Sequence, residues 1–434
     1  MDLRFPLSKP GSGSLPFRLT LSKDFWRESL HAPIWVTKIL DSGYVLPFSS
    51  LPNIPLCGAN SPSVLRHFDL VLVKVEALVD CGAAVELLSP PALCCPMLVE
   101  ENSGKFRLCW DGRELNKHLS FPKFKYEGLS QVPLLVSEDD FLFQFDLESA
   151  YHHVRVDEAC WSFLGFHLTD PKGRKRWFAF TVLPFGLAPA CLVFTKIMQV
   201  LLKHWRLQGF RGILYLDDGL GAAASEADCL WWIARVSQDL ASAGLTLNVA
   251  KSKMFPSRRI ESFLGAEIDS SSGTWSWSAK RCLKLSGLCR SILKAGFSSA
   301  RDLARVQGML MSAESLIGPL AALRSRSISS FFAEVNVFGS QAWDETKSLD
   351  ASVASDLRFW VDFCSRVPPA SVAIWPKPAA LAGVGPSAPL LQTDASDVAS
   401  GSIVGQARPC PGMAWPQILS LRKSQQSLPH FVNC

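Results

Sequence analysis

The sequence is short of charge. Only 19% of its 434 residues are Asp, Glu, Lys or Arg, against roughly 25% in ordinary soluble domains. It also lacks a long apolar run without helix breakers. The longest uncharged stretch, residues 42–65, is interrupted by Pro47, Pro52, Pro55 and Pro62. A membrane span needs about 20 mainly apolar, helix-compatible residues, so no transmembrane helix is expected. The opening MDLRFPLSKPGSGS has no apolar core of the kind a secretory leader uses. The 13 cysteines include no CxxC pair, and Cys94-Cys95 is too tight for a zinc site. Free thiols in a reducing compartment follow. The expected location is intracellular, in cytoplasm, nucleus or both, although no basic run is dense enough for a nuclear signal.

Hydrophobic residues are plentiful. At 48% they can offset the entropy of ordering, which excludes intrinsic disorder. The length predicts two to four domains. A net charge of +5 is mild and does not by itself imply nucleic acid.

Residues 1–90 read as a loop-rich N-terminal extension with short anchors at Phe25-Trp26, Trp35-Val36 and Val45-Leu46. Residues 67–90 are one helix or a helix plus a strand, and their spacing does not decide. From 91 to 270, strand and helix signals alternate, which gives an α+β domain. FLFQFDL (141–147) reads as a buried strand, and HHVRV (152–156) as another. FLGFHL (163–168) and RWFAFTVL (176–183) form a hairpin across DPKGRK. A helix starts at Pro189, with apolar positions from Leu192 to Trp205 at helical spacing. ILYL (213–216) and LGAAA (220–224) flank a turn at Asp217-Asp218-Gly219. Ser225 caps a helix that Gly244 stops. Residues 274–330 hold nine basic residues against Asp302 and Glu314, inside a helical, basic stretch of 271–365. Residues 366–389 read as a Pro/Gly/Ala-rich linker, and 390–434 begin something new.

The chemistry concentrates in three aspartates. Adjacent strand residues point to opposite faces, so Asp217 and Asp218 can share a task only at a turn. Like charges side by side call for a counter-cation, and a hard ion such as magnesium suits oxygen ligands. Asp146 ends an apolar strand. In-line phosphoryl transfer with two metals needs carboxylates from separate elements. Asp146, Asp217 and Asp218 supply them if the fold joins the two strands. Taken singly, each has a plainer reading as a solvated turn or a cap.

GKFRLCWDGRELN (104–116), DLESAY (146–151), LPFGLAPA (183–190), YLDD (215–218), GLTLNVAKSK (244–253) and SFLGAEI (262–268) follow in order. Together they resemble the fingers and palm motifs of reverse transcriptases. The likeness runs from about 30 to 330. GYVLPF (43–48), LPFGLAPACLVFTK (183–196) and the long helical stretch after residue 270 are similar to the DIRS-like, gypsy-related retrotransposons. The resemblance implies a right-hand polymerase fold of fingers, palm and thumb, and an RNA-directed DNA polymerase working on RNA template, DNA primer and dNTPs. It implies two magnesium ions, or manganese, on Asp146, Asp217, Asp218 and the Leu147 carbonyl. Tyr151 would be the steric gate against a 2′-hydroxyl, and Arg107 would grip the triphosphate. Phe185 and Gly186 belong to the loop beside the templating base. Lys251 lies in the motif that protonates pyrophosphate, and Phe263-Leu264-Gly265 is the primer grip. Lys280, Arg281, Lys284, Arg290, Lys294, Arg301 and Arg305 would follow the duplex backbone by charge neutralisation.

Two departures matter. Lysines usually precede the fingers arginine, and here Glu100 and Glu101 stand there instead, close to a tetra-anionic substrate. QTDASDVASG (392–401) resembles the first strand of an RNase H domain, with Asp394 as its first ligand. The rest of the chain lacks the partner carboxylates, so a truncated, incomplete RNase H-like α/β segment is expected. Two alternatives stay open here. One is a catalytically weak relic that only binds nucleic acid. The other is an RNA-dependent RNA polymerase, which Tyr151 and Tyr215 disfavour.

Overall fold

The structure, a computed structural model, describes residues 15–102, 104–335, 343–366, 372–373, 389–395 and 400–406. In chain order the strands that build the site are β1 (Leu56–Cys57), β2 (Ala84–Leu87), β3 (Leu93–Cys94), β4 (Met97–Asn102), β5 (Lys105–Trp110), β6 (Phe141–Asp146) and β7 (Gly165–Thr169). They continue with β8 (Lys175–Phe180), β9 (Arg211–Tyr215), β10 (Asp218–Ala223), β11 (Lys253–Ser257), β12 (Arg259–Phe263), β13 (Ala266–Asp269) and β14 (Thr274–Trp277).

The central sheet has the order β11-β6-β10-β9. β6 is an interior strand whose Leu142, Phe143 and Phe145 are fully buried, as a short apolar run between turns predicts. Its register against β10 explains the glycines of that strand. Gly219 and Gly221 stand opposite Phe145 and Phe143. A methyl group there would lie 2.1 Å and 2.3 Å from the two rings, so glycine is what lets the rings lie across the neighbouring strand. Helix Ala190–Leu207 covers this face, with Trp205 edge-on to Phe145 at 6.2 Å. On the opposite face Leu142, Ile213 and Leu220 join Ile260, Phe263 and the helices after residue 278 in a second core.

β1, β3, β7, β8 and β2 form a five-stranded sheet, β4 and β5 a separate two-stranded ribbon, and β12, β13 and β14 a meander. The β7–β8 hairpin matches the sequence reading. Helix Phe68–Asp80 and β2 resolve residues 67–90 as helix plus strand.

Two expectations need correction. The 15–90 region is largely helical, not loop-rich, with helices such as Ile34–Ser42 and Phe68–Asp80. One residue of each expected anchor pair does the burying: Trp26, Val36 and Leu46. The Trp26 indole also donates to the Ala243 carbonyl at 2.9 Å. Residues 152–156 are not a strand. Ser149 takes a left-handed conformation (φ 49°) and starts a 3-10 turn, Ala150–His153, leaving two isolated bridges, Arg155 to Val182 and Val156 to Tyr44. Alternating apolar and basic residues mimic a strand there, but the backbone must turn to carry Tyr151 inward.

Residues 1–374 form one compact unit and 375–434 another. Of the second, a hairpin is described: Pro389–Ala395 pairs antiparallel with Ser400–Gln406, and Asp394 stands opposite Gly401. The side chain of Asp394 and nearly all of the 366–389 stretch lie outside the described residues. Among the described residues no helix is long and apolar enough to cross a membrane.

Candidate active site

The three aspartates come together. Asp146, the last residue of β6, sits directly opposite Asp218, the first residue of β10. Asp218 also pairs with Tyr215, so the hairpin turns at Leu216-Asp217, with Leu216 left-handed (φ 56°). The turn thus falls earlier than the expected Asp217-Asp218-Gly219. Asp217 stands outside the ladder, where strand alternation no longer separates it from its neighbour. Backbone bonds lock the junction: the Leu147 amide donates to the Asp217 carbonyl (3.0 Å), and the Asn248 amide to the Asp146 carbonyl (2.8 Å). The Ser252 hydroxyl accepts from the Asp146 amide at 3.0 Å.

The electrostatics are those of an anion cluster. Burial holds the Asp217 carboxyl above its ordinary range, and Asp146 adds to this. Burial, then Asp217 and Asp146, pushes Asp218 up to about 6. Lys251 opposes both shifts. Its ammonium lies 3.2 Å from Asp146 Oδ1. The three carboxylates offer oxygen donors, the type that a hard divalent cation takes.

Tyr151 is buried beside this cluster. Its ring packs on Phe185 (4.8 Å between centroids) and Phe194 (5.6 Å), and its hydroxyl lies 3.1 Å from the Cys191 thiol. Burial, then the Cys191 contact, holds the phenol well above its usual range. Phe185 itself is exposed. Gly186 adopts φ 101°, and a Cβ there would lie 2.4 Å from the Trp110 carbonyl oxygen. A close approach at positive φ requires glycine.

Three residues of this neighbourhood were not legible as site residues. The Asn116 amide donates to the Gly186 carbonyl and accepts from the Ala188 amide, both at 2.9 Å. Tyr126 packs at a tilt against Tyr215, 5.1 Å between centroids, and burial, then Cys191, raises its phenol as it does that of Tyr151. Asn116 closes the fingers motif in sequence, yet about seventy residues separate it from the loop it holds. No local pattern links the two. Asn116→Ala should lower stability by about 1–2 kcal/mol through loss of both bonds, read as a shifted urea midpoint. An unchanged midpoint would mean that the loop holds itself.

The outlying residues fall into place unevenly. Arg107 on β5 is exposed, and Glu100 on β4 is its direct cross-strand partner. Glu100 therefore shares a face of the ribbon with Arg107. Asp111 and Glu114 are taken by Arg113 and Lys117. Phe263-Leu264-Gly265 is the β12–β13 turn, with Leu264 and Gly265 at positive φ. The Arg281 side chain packs behind that turn. Its Nη1 is buried and, among the described residues, has no hydrogen-bond partner. An open cavity of about 660 Å³ runs from Tyr126 and Tyr215 to Leu264 and Arg281.

Lys280, Lys284, Arg290 and Lys294 lie on helix Ala279–Ala295, opposite its buried Cys282, Leu285, Cys289 and Ile292. Arg301 and Arg305 are less free than the sequence tally suggests. Arg301 pairs with Asp344, which lies outside the 274–330 window, and Arg305 pairs with Asp302.

Comparison with known proteins agrees with this geometry. Residues 99–268 match the family "Reverse transcriptase (RNA-dependent DNA polymerase)". Among curated relatives, the Transposon Tf2-3 and Tf2-7 polyproteins of Schizosaccharomyces pombe are 27% and 26% identical over 222 residues. Each match covers 50% of this chain and 16% of the polyprotein, so the chain matches only a small part of those relatives. Among solved structures, the foamy viral protease-reverse transcriptase in complex with dsDNA aligns with a TM-score of 0.55 at 15% identity, over 84% of this chain and 73% of that one. The same protein in complex with an RNA/DNA hybrid aligns with a TM-score of 0.56 at 14% identity, over 83% and 47%. These alignments establish the right-hand polymerase fold. Residues 99–268 thus match a reverse transcriptase family model, and the chain is similar in sequence to part of retrotransposon polyproteins.

Proposed function

We propose that the chain is an RNA-directed DNA polymerase that extends a primer 3′-hydroxyl with dNTPs on an RNA template. The observation that carries this reading is Asp146 in register with Asp218, with Asp217 at the adjoining turn and Tyr151 packed beside them. Asp146, Asp217, Asp218 and the Leu147 carbonyl would hold two magnesium or manganese ions. When bound, such ions supply Lewis-acid charge at the reacting oxygens. The chain's own groups do the rest. Tyr151, backed by Phe185, excludes a 2′-hydroxyl. Arg107 offers a guanidinium fork to the triphosphate. Lys251 is close enough to the carboxylates to carry a proton toward leaving pyrophosphate. The 263–265 turn positions the primer end, and the basic face of helix Ala279–Ala295 neutralises duplex phosphates. On this reading residues 91–270 are fingers and palm, and 271–365 are thumb and connection.

The motif order and the N-terminal GYVLPF favour a DIRS-like element, and the 389–406 hairpin is compatible with the opening of an RNase H-like segment. A second reading has a specific support. Glu100 opposite Arg107 weakens the triphosphate grip, which suits a catalytically weak element copy.

The test is extension of a DNA primer annealed to RNA, with dNTPs and magnesium. Template-dependent extension at ordinary dNTP concentrations is expected. Extension only at greatly raised dNTP, restored by Glu100→Lys, would favour the weak copy. Tight template–primer binding without extension under any condition would refute the polymerase.

A further inference from the structure

A second set of metal-ligating side chains lies away from the carboxylates, on the five-stranded sheet. β1, β3 and β7 are adjacent parallel strands. Cys57 stands in register with Cys94, and Cys94 with Gly165, so His167, two residues on, lies on the same face. The Cys94 thiol is 3.4 Å from His167 Nδ1, and the Cys57 thiol is 3.9 Å from the same nitrogen. All three ligand atoms lie within 4.8 Å of one another. Cys94 and His167 are buried and Cys57 is exposed.

These distances have a chemical meaning. Bonds of about 2.3 Å to sulfur and 2.0–2.1 Å to nitrogen, at tetrahedral angles, put S···N near 3.6 Å. The two observed separations bracket that value. Two thiolates and a neutral imidazole suit a borderline-soft cation and not magnesium. Together they balance a divalent charge. Asn60 braces the frame: its amide donates to the His167 carbonyl at 2.8 Å and accepts from the Met97 amide at 2.8 Å. A cavity of about 610 Å³, lined by Cys57, Asn60, His167 and Lys175, opens onto Cys57 and His167 and leaves room for a fourth ligand, with Cys94 buried behind them. Asp170, on the same cavity, is committed to Arg174 and to the 172 and 174 amides.

We propose that Cys57, Cys94 and His167 form a zinc site with a solvent-accessible fourth position, which clasps the N-terminal segment carrying β1 onto the sheet. The sequence expectation of no zinc site rests on local spacing. Here the ligands come from three strands and meet only through sheet register.

The test uses the full chain, reduced and freed of metal, titrated with cobalt(II) as the probe. One equivalent should give tetrahedral d–d bands and a thiolate-to-cobalt charge-transfer band, both abolished by one equivalent of zinc. Cys57→Ser and His167→Gln should lose the charge-transfer band. Asp217→Asn should keep it, which separates this site from the carboxylates. Cys57 is exposed, so Cys57→Ser should fold, with unchanged far-ultraviolet circular dichroism before metal is added. Zinc should also slow alkylation of Cys57 in the wild type at least tenfold. Absence of the charge-transfer band in the wild type, an equal band in Cys57→Ser, or alkylation indifferent to zinc would each overturn the proposal.

Discussion

Asp217→Asn should reduce primer extension by about a thousandfold, a loss of ~4 kcal/mol of transition-state stabilisation. Template–primer binding should stay close to wild type. The amide keeps the size of the side chain and removes the charge from a turn already crowded by Asp146 and Asp218. Relief of that repulsion should leave the melting temperature unchanged or raised, as is usual where a site trades stability for function. Extension at the wild-type rate would remove Asp217 from the site.

The same cluster sets a pH dependence. The Asp218 carboxyl rises from its ordinary 3.8 to about 6 in the folded chain. Between those values the folded state binds more protons than the unfolded one, so this group's contribution to stability falls as pH rises through that window. In the presence of a chelator, Asp218→Asn should flatten the decline in melting temperature between the two values. Cation binding needs the ionised carboxylate, so the magnesium requirement for extension should ease as pH rises past about 6. A wild-type melting temperature that climbs with pH, through a window Asp218→Asn does not alter, would contradict the assignment.

The second large effect concerns sugar choice. Tyr151→Val should raise the incorporation of rNTPs relative to dNTPs by about a hundredfold, the scale on which a pocket discriminates by bulk. The substitution also opens a cavity in a buried aromatic group, at about 2–4 kcal/mol. The ratio of the two substrates, not the absolute rate, is therefore the quantity to read. Tyr151→Phe is the control. It keeps the ring on Phe185 and loses only the contact of the hydroxyl with Cys191, so its ratio should stay near wild type. Equal ratios in Tyr151→Val and wild type would show that the ring does not exclude the 2′-hydroxyl.

Much of the site can be read from residue order alone. An apolar strand ending in Asp146, an acidic pair at a hairpin, and a proline-led helix are local patterns, and their physics is local. The turn was harder to place. Asp-Gly favours a turn at Asp217-Asp218-Gly219, but pairing of Asp218 with Tyr215 and Asp146 outweighs that preference. The 152–156 stretch misleads for the same reason, because its alternation gives way to the left-handed Ser149.

By itself the sequence determined the elements of the palm, the identity of the three carboxylates and the concentration of basic charge after residue 274. The tertiary structure decided what those residues meet. It set Asp146 against Asp218, put the Lys251 ammonium on Asp146, and brought Asn116 to the Gly186 loop across seventy residues. It also gathered Cys57, Cys94 and His167 from three strands onto one face. The physical reason is common to all four. Periodicity and turn chemistry act over a few residues, whereas strand register and helix packing join positions that share no local pattern.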